Sequence, residues 1–272
     1  MNKIAILIIN HETPAETQKL VNHLHLHCDK TKFDLTLVEN STFHCVEFPD
    51  IKNNFNKGFD QTVIDWLKDN KDENYLGYWT LNSDCLLEEV DYVSEICKFL
   101  EDKRIGLLST LVHEKVAPGW GDHTPLQHPQ NIDTGYPSEI GYIDFQSAII
   151  SKTLLDNFKI DNNLVYYLGG LDMDFNLACE KNGLKKILIP HLKLEHLGAQ
   201  SYREEDGSLI IMRKDEIVAK EELEHIKKWH LDGIVSNGGQ LMGYGINKRY
   251  GCQLALEKTR MLQVTTKKYD GE

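Results

Sequence analysis

The chain has 272 residues, of which 41% are hydrophobic and 26% charged, and this length and balance are typical of a folded protein with a sizeable core. Its formal net charge of −12 argues against a nucleic-acid surface, which needs clustered Lys and Arg. No stretch has the length and hydrophobicity of a transmembrane segment or a secretory signal, so neither is predicted.

The first elements predict a parallel strand–helix–strand unit. Residues 4–9 form an apolar run typical of a buried strand, and Thr13 before Pro14 is a typical helix start. The alternating residues 33–38 predict a second strand, which the right-handed crossover rule places parallel to the first. Glu39 follows this strand at the carboxyl edge of the predicted sheet, where a turn cap is its alternative role.

Residues 75–84 form an apolar run that ends in the polar tripeptide Asn82-Ser83-Asp84. In open α/β sheets, ligands bind at the carboxyl edge of the strands. A carboxylate at that edge suits a divalent cation, because hard cations take oxygen ligands and often share them with a substrate phosphate. An Asx turn followed by a helix N-cap uses the same residue types, so this stretch alone leaves both interpretations open.

The remaining chain alternates helical and strand patterns around a long irregular segment. The predicted elements are a helix after a tight loop at 53–59, a helix at 88–101, strands at 105–111 and 142–151, a short helix through Leu154 and Leu155, a helix at 175–181, and extended segments at 186–189 and 192–194. Residues 112–141 follow neither period, and a loop of this length is usually functional or disordered. After residue 201 the composition is more charged, with helices predicted at 215–230 and 248–261.

Two further polar clusters lie at the ends of predicted elements. Asp172 and Asp174 precede the helix at 175–181, and His196 follows the last extended segment. Carboxylates at a helix start are favoured by the helix dipole, and an isolated histidine is most often an ordinary surface residue. Each cluster alone therefore has a structural explanation, and only their order and spacing together indicate a site.

In order and spacing, these clusters resemble those of the inverting family 2 glycosyltransferases of the GT-A fold, particularly their rhamnosyltransferase-like branch. The similarity covers about residues 1–201 and rests on the segments Ile8-Ile9-Asn10-His11, Val38-Glu39-Asn40-Ser41, Asn56-Lys57-Gly58-Phe59, Asn82-Ser83-Asp84, Leu171-Asp172-Met173-Asp174-Phe175 and His196-Leu197-Gly198-Ala199-Gln200-Ser201. The chain departs from the family where Gly170-Leu171 replaces the usual acid before Asp172, and where Asp60-Gln61 replaces small residues. The resemblance implies an α/β protein with a mostly parallel, Rossmann-like GT-A sheet flanked by helices.

The resemblance also implies a site for a nucleotide-diphosphate sugar donor, with a UDP-sugar favoured. Because this donor leaves as a diphosphate, a cation must neutralise the developing charge, and Asp84 and His196 would bind that Mn²⁺ or Mg²⁺. The other donor-binding residues that the resemblance implies are Asn10, Glu39, Asn56, Lys57, Asn82 and Ser83.

By the same resemblance, Asp172 is the general base that removes the proton from the attacking hydroxyl of a saccharide acceptor, and the reaction inverts the anomeric carbon. We expect Trp120 and Asp174 in the acceptor pocket, with Trp120 as a platform on which a sugar stacks. The alternative for Trp120 is a structural residue that holds the loop to the sheet. The alternative for Asp174 is a helix cap or a support for the site.

The leading hypothesis is a metal-dependent glycosyltransferase of the hexosyltransferase type that acts in polysaccharide biosynthesis, and the alternative is a catalytically silent sugar- or nucleotide-binding module. A sugar-nucleotide pyrophosphorylase would need a Gly-rich basic loop where this chain has His11-Glu12-Thr13-Pro14. Residues 1–201 would form the catalytic domain and 202–272 a helical C-terminal appendage, where we expect any oligomer contact. The six cysteines form no C-x-x-C pair, which is typical of reduced thiols in a cytoplasmic protein.

Overall fold

The structure is a computed structural model that describes residues 2–41, 44–114, 129–160, 171–197 and 265–271. Its strands are β1 (Lys3–Asn10), β2 (Phe33–Glu39), β3 (Ile51–Lys52), β4 (Tyr75–Asn82), β5 (Cys85–Leu87), β6 (Ile105–Glu114), β7 (Ser138–Glu139), β8 (Ser147–Ser151), β9 (Lys185–His196) and β10 (Lys267–Lys268). Its helices are α1 (Pro14–His27), α2 (Phe59–Asn70), α3 (Tyr92–Leu100), α4 (Lys152–Asn157) and α5 (Leu171–Lys181), with a 3-10 turn at Pro129–Asn131.

The strands form one sheet in the order β10-β7-β9-β6-β8-β4-β1-β2-β3, and β5 pairs with β9 outside this path. Strands β3, β2, β1 and β4 are parallel neighbours, and β6 and β9 are parallel to each other. Strand β8 runs antiparallel between β4 and β6, so β4 and β6 point in the same direction. The carboxyl ends of the long strands therefore meet at one edge, which confirms the predicted α/β class with a mostly parallel sheet.

The two faces of the sheet carry separate apolar clusters, and β1 contributes to both because side chains alternate along a strand. Ile4, Ile6 and Ile8 pack with residues of α1 and α3, whereas Leu7 and Ile9 pack with residues of α2, α4 and α5. Helices therefore cover both faces, as predicted. No helix among the described residues has the length and hydrophobicity needed to cross a membrane.

Helices α3 and α5 begin at residues other than those the sequence predicts, because side chains fix their first turns. Helix α3 begins at Tyr92, since the Asp91 carboxylate accepts the Ser94 N–H at 3.0 Å. The cap is therefore Asp91, not the Asn82-Ser83-Asp84 turn that was the structural alternative. Helix α5 begins earlier than predicted, at Leu171, which brings both Asp172 and Asp174 into its first turn.

The strand predictions also need correction in two places. The strand predicted at 142–151 starts only at Ser147, because the segment before it turns towards α5 and binds it through side chains. The extended segments at 186–189 and 192–194 form one strand, β9, whose register with β6 shifts between Thr110 and Leu111. Pro190 lies at that shift, and a proline has no N–H to contribute to the ladder.

The end of the predicted C-terminal appendage belongs to the sheet. Strand β10 pairs antiparallel with β7, and the Tyr269 N–H donates to the Pro137 carbonyl at 2.8 Å. The Lys185 ammonium group lies 3.3 Å from the Asp270 carboxylate. These last residues therefore extend the sheet by one short strand, and the division of the chain at residue 201 stays a prediction. The helices predicted at 215–230 and 248–261 lie outside the described residues and stay predictions.

Candidate active site

The predicted site residues of the first strands meet because the strands are in register at their carboxyl ends. Asn10 of β1 pairs with Glu39 of β2, and the preceding Ile9 pairs with Asn82 of β4. Three polar side chains from distant parts of the sequence are thus placed side by side by the ladder alone. This is the edge at which open α/β sheets bind ligands.

Asn10 and Glu39 form a buried hydrogen-bonded pair, and both side chains are 0% exposed. The Asn10 Nδ2 donates to the Glu39 carboxylate oxygens at 3.0 and 2.9 Å. The backbone N–H groups of Ser41 and Val46 donate to the same carboxylate, each at 2.6 Å. Glu39 therefore holds the loop after β2 in place, which is the turn-capping role considered for it. Its contact with the nucleoside stays a prediction.

The loop that carries Asn56 and Lys57 is oriented by a buried amide. The Asn40 Nδ2 donates to the Asn56 Oδ1 at 3.2 Å and to the Gly58 carbonyl at 3.3 Å. Gly58 has a φ of 86°, a backbone conformation that glycine adopts without strain. Lys57 is partly exposed and its ammonium group pairs with Asp65 at 3.3 Å. The tight loop predicted here therefore has a fixed shape, with Asn56 and Lys57 at its surface.

Asp84 and His196 are neighbours because the short strand β5 pairs with the end of β9. Cys85 is opposite His196 in this antiparallel pair, and the Leu197 N–H donates to the Asp84 carbonyl at 3.0 Å. The His196 Nε2 lies 3.2 Å from the Asp84 Oδ1 and 3.2 Å from the Asn82 Nδ2. Asp84 and His196 are each 8% exposed. The structure therefore brings the predicted metal ligands into contact.

The residues present fit a divalent cation that is shared with a diphosphate. Within the described ranges, no group of three or more His, Cys, Asp and Glu side chains could hold a metal ion, and the described residues would supply the pair Asp84 and His196. A carboxylate oxygen with an imidazole nitrogen suits Mn²⁺, whereas Mg²⁺ prefers oxygen ligands. Two protein ligands leave the remaining coordination positions for phosphate oxygens and water.

Ser83 connects the end of β4 to the turn after β1. Its Oγ lies 2.8 Å from the Thr13 Oγ1, and the Thr13 N–H donates to the Asn10 Oδ1 at 3.2 Å. Glu12 in this turn has a φ of 59°, which a residue with a side chain adopts at a cost of about 1–2 kcal/mol. The Glu12 N–H donates to the Ser41 Oγ at 2.6 Å, and this bond helps to hold the turn.

Asp172 lies in the first turn of α5, is 7% exposed, and has a hydrogen-bond donor on each carboxylate oxygen. The Met173 N–H donates to its Oδ1 at 2.7 Å, and the Tyr142 hydroxyl donates to its Oδ2. Burial raises the pKa of the Tyr142 phenol well above its usual range, and the Asp172, Asp144 and Asp60 carboxylates raise it further. The phenol therefore stays protonated and remains a donor at neutral pH.

The start of α5 is capped from another helix. The Asp60 Oδ2, in the first turn of α2, accepts the Leu171 N–H at 3.1 Å, and Asp60 is 3% exposed. Asp60 lies just after the loop that carries Asn56 and Lys57, so this hydrogen bond ties the helix that follows the loop to the helix of Asp172. Asp60 was identified only as a departure from the family pattern, and its capping role could not be deduced from the sequence.

The predicted acceptor residues are described only in part. Asp174 lies in the first turn of α5 and is 0% exposed, a position that agrees with the role of site support. Trp120 lies outside the described residues. Tyr142 and Asn176 also contact Asp172, and neither was predicted from the sequence as a site residue. Asn176 follows Asp172 by one helical turn, and this spacing was a usable signal, whereas no local pattern distinguishes Tyr142.

Comparisons with known proteins support the fold. No protein-family model matches the chain, and no curated protein matches it significantly. Solved structures match over most of its length. GalNAc-T7, crystallised with UDP, GalNAc and Mn²⁺, is similar over 88% of this chain and 52% of its own, with a TM-score of 0.58 and 12% identity. This chain thus spans about half of the GalNAc-T7 chain.

TarS of S. aureus gives the same result. Its fragment 1–349 in complex with UDP-GlcNAc is similar over 85% of this chain and 70% of its own, with a TM-score of 0.56 and 14% identity. A second TarS structure covers 82% of this chain and 43% of its own, with a TM-score of 0.53 and 14% identity. Together with the strand order, these similarities show that the chain has a GT-A-type fold.

Proposed function

We propose that this protein is a metal-dependent glycosyltransferase that moves a sugar from a UDP-sugar to a hydroxyl group of a saccharide, with inversion at the anomeric carbon. The observation that carries the proposal is the contact between Asp84 and His196 at the carboxyl edge of the sheet. His196 is 114 positions from Asn82, whose amide lies against the same ring nitrogen. A chance surface histidine would not be expected there, nine-tenths buried beside the carboxylate that the family resemblance selects as a metal ligand.

The similar solved structures support the choice of donor. GalNAc-T7 was crystallised with UDP, GalNAc and Mn²⁺, and TarS was crystallised with UDP-GlcNAc. At 12% and 14% identity these likenesses establish the fold alone. The UDP-sugar, the metal and the place in the rhamnosyltransferase-like branch of family 2 are therefore part of the proposal, and the last rests on the sequence segments.

The proposed chemistry assigns one task to the pair Asp84 and His196 and another to Asp172. A divalent cation would neutralise the negative charge that develops on the departing diphosphate, and Asp84 and His196 would hold it there. Asp172 would accept the proton of the acceptor hydroxyl while that oxygen forms a bond to the anomeric carbon and the bond from this carbon to the diphosphate breaks. The positive end of the α5 dipole favours the ionised carboxylate that this step needs.

The donor-binding residues would act mainly through a preformed loop structure. Asn10, Glu39 and Ser83 join the turns after β1, β2 and β4 by hydrogen bonds, so a nucleotide would meet a rigid edge. Asn56 and Lys57 lie at the surface of their loop, where a polar ligand can reach them. Rigid positioning of this kind reduces the entropy that is lost on binding and places the reacting atoms for attack.

Thermal unfolding with UDP, GDP and ADP, each with and without Mn²⁺, tests the proposal first. We expect UDP to raise the melting temperature only when Mn²⁺ is present, because a ligand that binds the native state stabilises it by mass action. UDP release from a panel of UDP-sugars then tests catalysis, and NMR of the product tests inversion. No stabilisation by any nucleoside diphosphate would refute the proposal. Stabilisation without turnover would instead indicate the silent binding module.

A further inference from the structure

Tyr142 occupies an unusual place relative to the proposed base. It lies in the segment between β7 and β8 and is 0% exposed, with its hydroxyl donating to the Asp172 Oδ2. The other carboxylate oxygen of Asp172 accepts the N–H of its neighbour Met173 at 2.7 Å. Each of the two carboxylate oxygens of Asp172 is therefore held by a donor, one from the helix backbone and one from the Tyr142 hydroxyl.

The backbone beside Tyr142 is fixed to the helix that carries Asp172. The Asn176 side chain accepts the Ile143 N–H at 3.0 Å and donates to the Ile143 carbonyl at 2.8 Å. The same Asn176 Nδ2 also donates to the Asp172 carbonyl at 2.8 Å, and Asn176 is 0% exposed. One buried amide therefore locks the Tyr142 segment to the first turn of α5. The contact between the phenol and the carboxylate is set by this backbone arrangement and does not depend on a freely rotating side chain.

We propose that Tyr142 is a positioning residue that holds the Asp172 carboxylate in one orientation relative to the acceptor hydroxyl. The proposal rests on the function proposed above, because it assumes that Asp172 is the base. A hydrogen bond to a carboxylate makes it a weaker base, so the gain must come from orientation. When a reacting group is misplaced by even a small distance, the rate of reaction falls by a large factor. The gain in rate from correct orientation is therefore expected to exceed the loss from the weaker basicity of Asp172.

The test compares Tyr142→Phe with Tyr78→Phe. Both tyrosines are 0% exposed, and the Tyr78 hydroxyl donates to the Asn70 carbonyl at 3.0 Å, away from the proposed site. Each substitution removes one buried hydroxyl and leaves the ring in place. We expect kcat to fall about tenfold or more in Tyr142→Phe, with the donor KM and the UDP-induced melting shift unchanged. We expect Tyr78→Phe to lower the melting temperature while kcat stays within about twofold of the wild type.

Residues that act as a unit have non-additive effects, which gives a second readout. In the Asp172→Asn background, Tyr142→Phe should cause no further loss of turnover. In the Asp172→Ala background, it should lower the melting temperature less than it does in the wild type, because its partner is already absent. Equal kcat values for Tyr142→Phe and Tyr78→Phe, or a full additional loss in Asp172→Asn, would overturn the positioning role.

The two proposals fail in different ways. If the wild-type chain turns over no nucleotide sugar, the proposed function is wrong. The effect of Tyr142→Phe on the melting temperature can still be compared between the wild-type and Asp172→Ala backgrounds, and this comparison decides whether the phenol holds the carboxylate. An active wild type in which Tyr142→Phe retains full kcat overturns the positioning role alone.

Discussion

Asp84 and Asp172, two carboxylates of the proposed site, are held in different ways. Asp84 is held mainly through its backbone, where its carbonyl accepts the Leu197 N–H and its Oδ1 lies against the His196 ring. Asp172 is held through its side chain, with a donor on each carboxylate oxygen and a capped helix beneath it. One arrangement leaves an oxygen ligand beside an imidazole nitrogen, and the other restricts a carboxylate to a single orientation.

This difference matches the two tasks that the proposed reaction requires. A cation is attracted from any direction and tolerates some movement of its ligands, so two adjacent donors on a short strand pair are sufficient. A proton transfer needs a lone pair at a defined angle and distance, so the acceptor of the proton must be fixed. Each of the following predictions breaks one of the two arrangements and leaves the other intact.

The largest effect should follow from Asp172→Asn. The amide keeps the size of the side chain and can still accept the Tyr142 hydroxyl, but it cannot take up a proton. We expect turnover to fall by at least about a hundredfold while UDP binding with Mn²⁺ is retained. Asp174→Asn is the matched variant two positions away, and we expect it to lower stability more than turnover. The opposite pattern in the two variants would show that Asp174 is the base.

Asp84→Ala should remove the metal-dependent part of donor binding. At a UDP concentration of about 100 times the dissociation constant, binding stabilises the native state by about 2.7 kcal/mol, and this stabilisation should no longer depend on Mn²⁺ in the variant. The exposed Asp69→Ala is the control for the loss of one carboxylate. Isothermal titration of UDP with and without Mn²⁺ checks the result. If UDP binding to Asp84→Ala depends on Mn²⁺ as it does in the wild type, Asp84 and His196 do not form the cation site.

Asp60→Ala should loosen the start of α5. Removing the acceptor of the Leu171 N–H at a helix start should lower the free energy of unfolding by about 1–2 kcal/mol. We also expect a lower kcat, because Asp172 lies in the same turn. Asp60→Asn keeps an acceptor oxygen and should recover most of the loss. Urea unfolding of the two variants measures this, and equal losses in both would show that the charge of Asp60 matters more than its hydrogen bond.

The smallest effect concerns alkaline stability. Tyr142 has a pKa raised above that of an unfolded tyrosine, so above pH about 10 the unfolded chain loses this proton and the native protein keeps it. Above that pH, the free energy of unfolding of the wild type should therefore fall with rising pH more steeply than that of Tyr142→Phe, by up to about 1.4 kcal/mol per pH unit. Urea unfolding at a series of pH values measures both free energies, and below pH about 9 their difference should be constant. A difference that stays constant up to pH about 11 would show that the pKa of Tyr142 is not raised by folding.

The sequence predicted the fold well where strands are buried on both faces. β1 and β4 are mostly apolar runs and β2 alternates. All three are followed by polar residues at their carboxyl ends, so their positions and the residues at the edge followed from local pattern. Strand β5 was missed, although Cys85-Leu86-Leu87 is apolar, because a short strand is defined by its partner, and β9 lies about a hundred residues later in the chain.

The contacts of Asp172 show what local pattern cannot provide. Tyr142 is 30 positions from Asp172 and lies in a segment that was predicted as strand, where alternation gives no reason to expect a turn towards a helix. Asp60 is 111 positions from Leu171, and the sequence marked it only as a departure from the family pattern. Both contacts depend on how α2, α5 and the segment before β8 pack together, which is a property of the tertiary fold.

The return of the chain through β10 affects how the C-terminal part should be removed. Residues 198–264 are joined to the sheet at both ends, by β9 before them and by β10 after them. A stop codon after residue 201 would therefore also delete the strand that covers β7, together with the Tyr269 side chain whose hydroxyl donates to Asp102. Loss of activity in such a truncated protein would not assign a catalytic role to the missing part. An internal deletion that joins β9 to β10 through a linker of suitable length would keep the edge of the sheet covered and isolate the contribution of the segment between them.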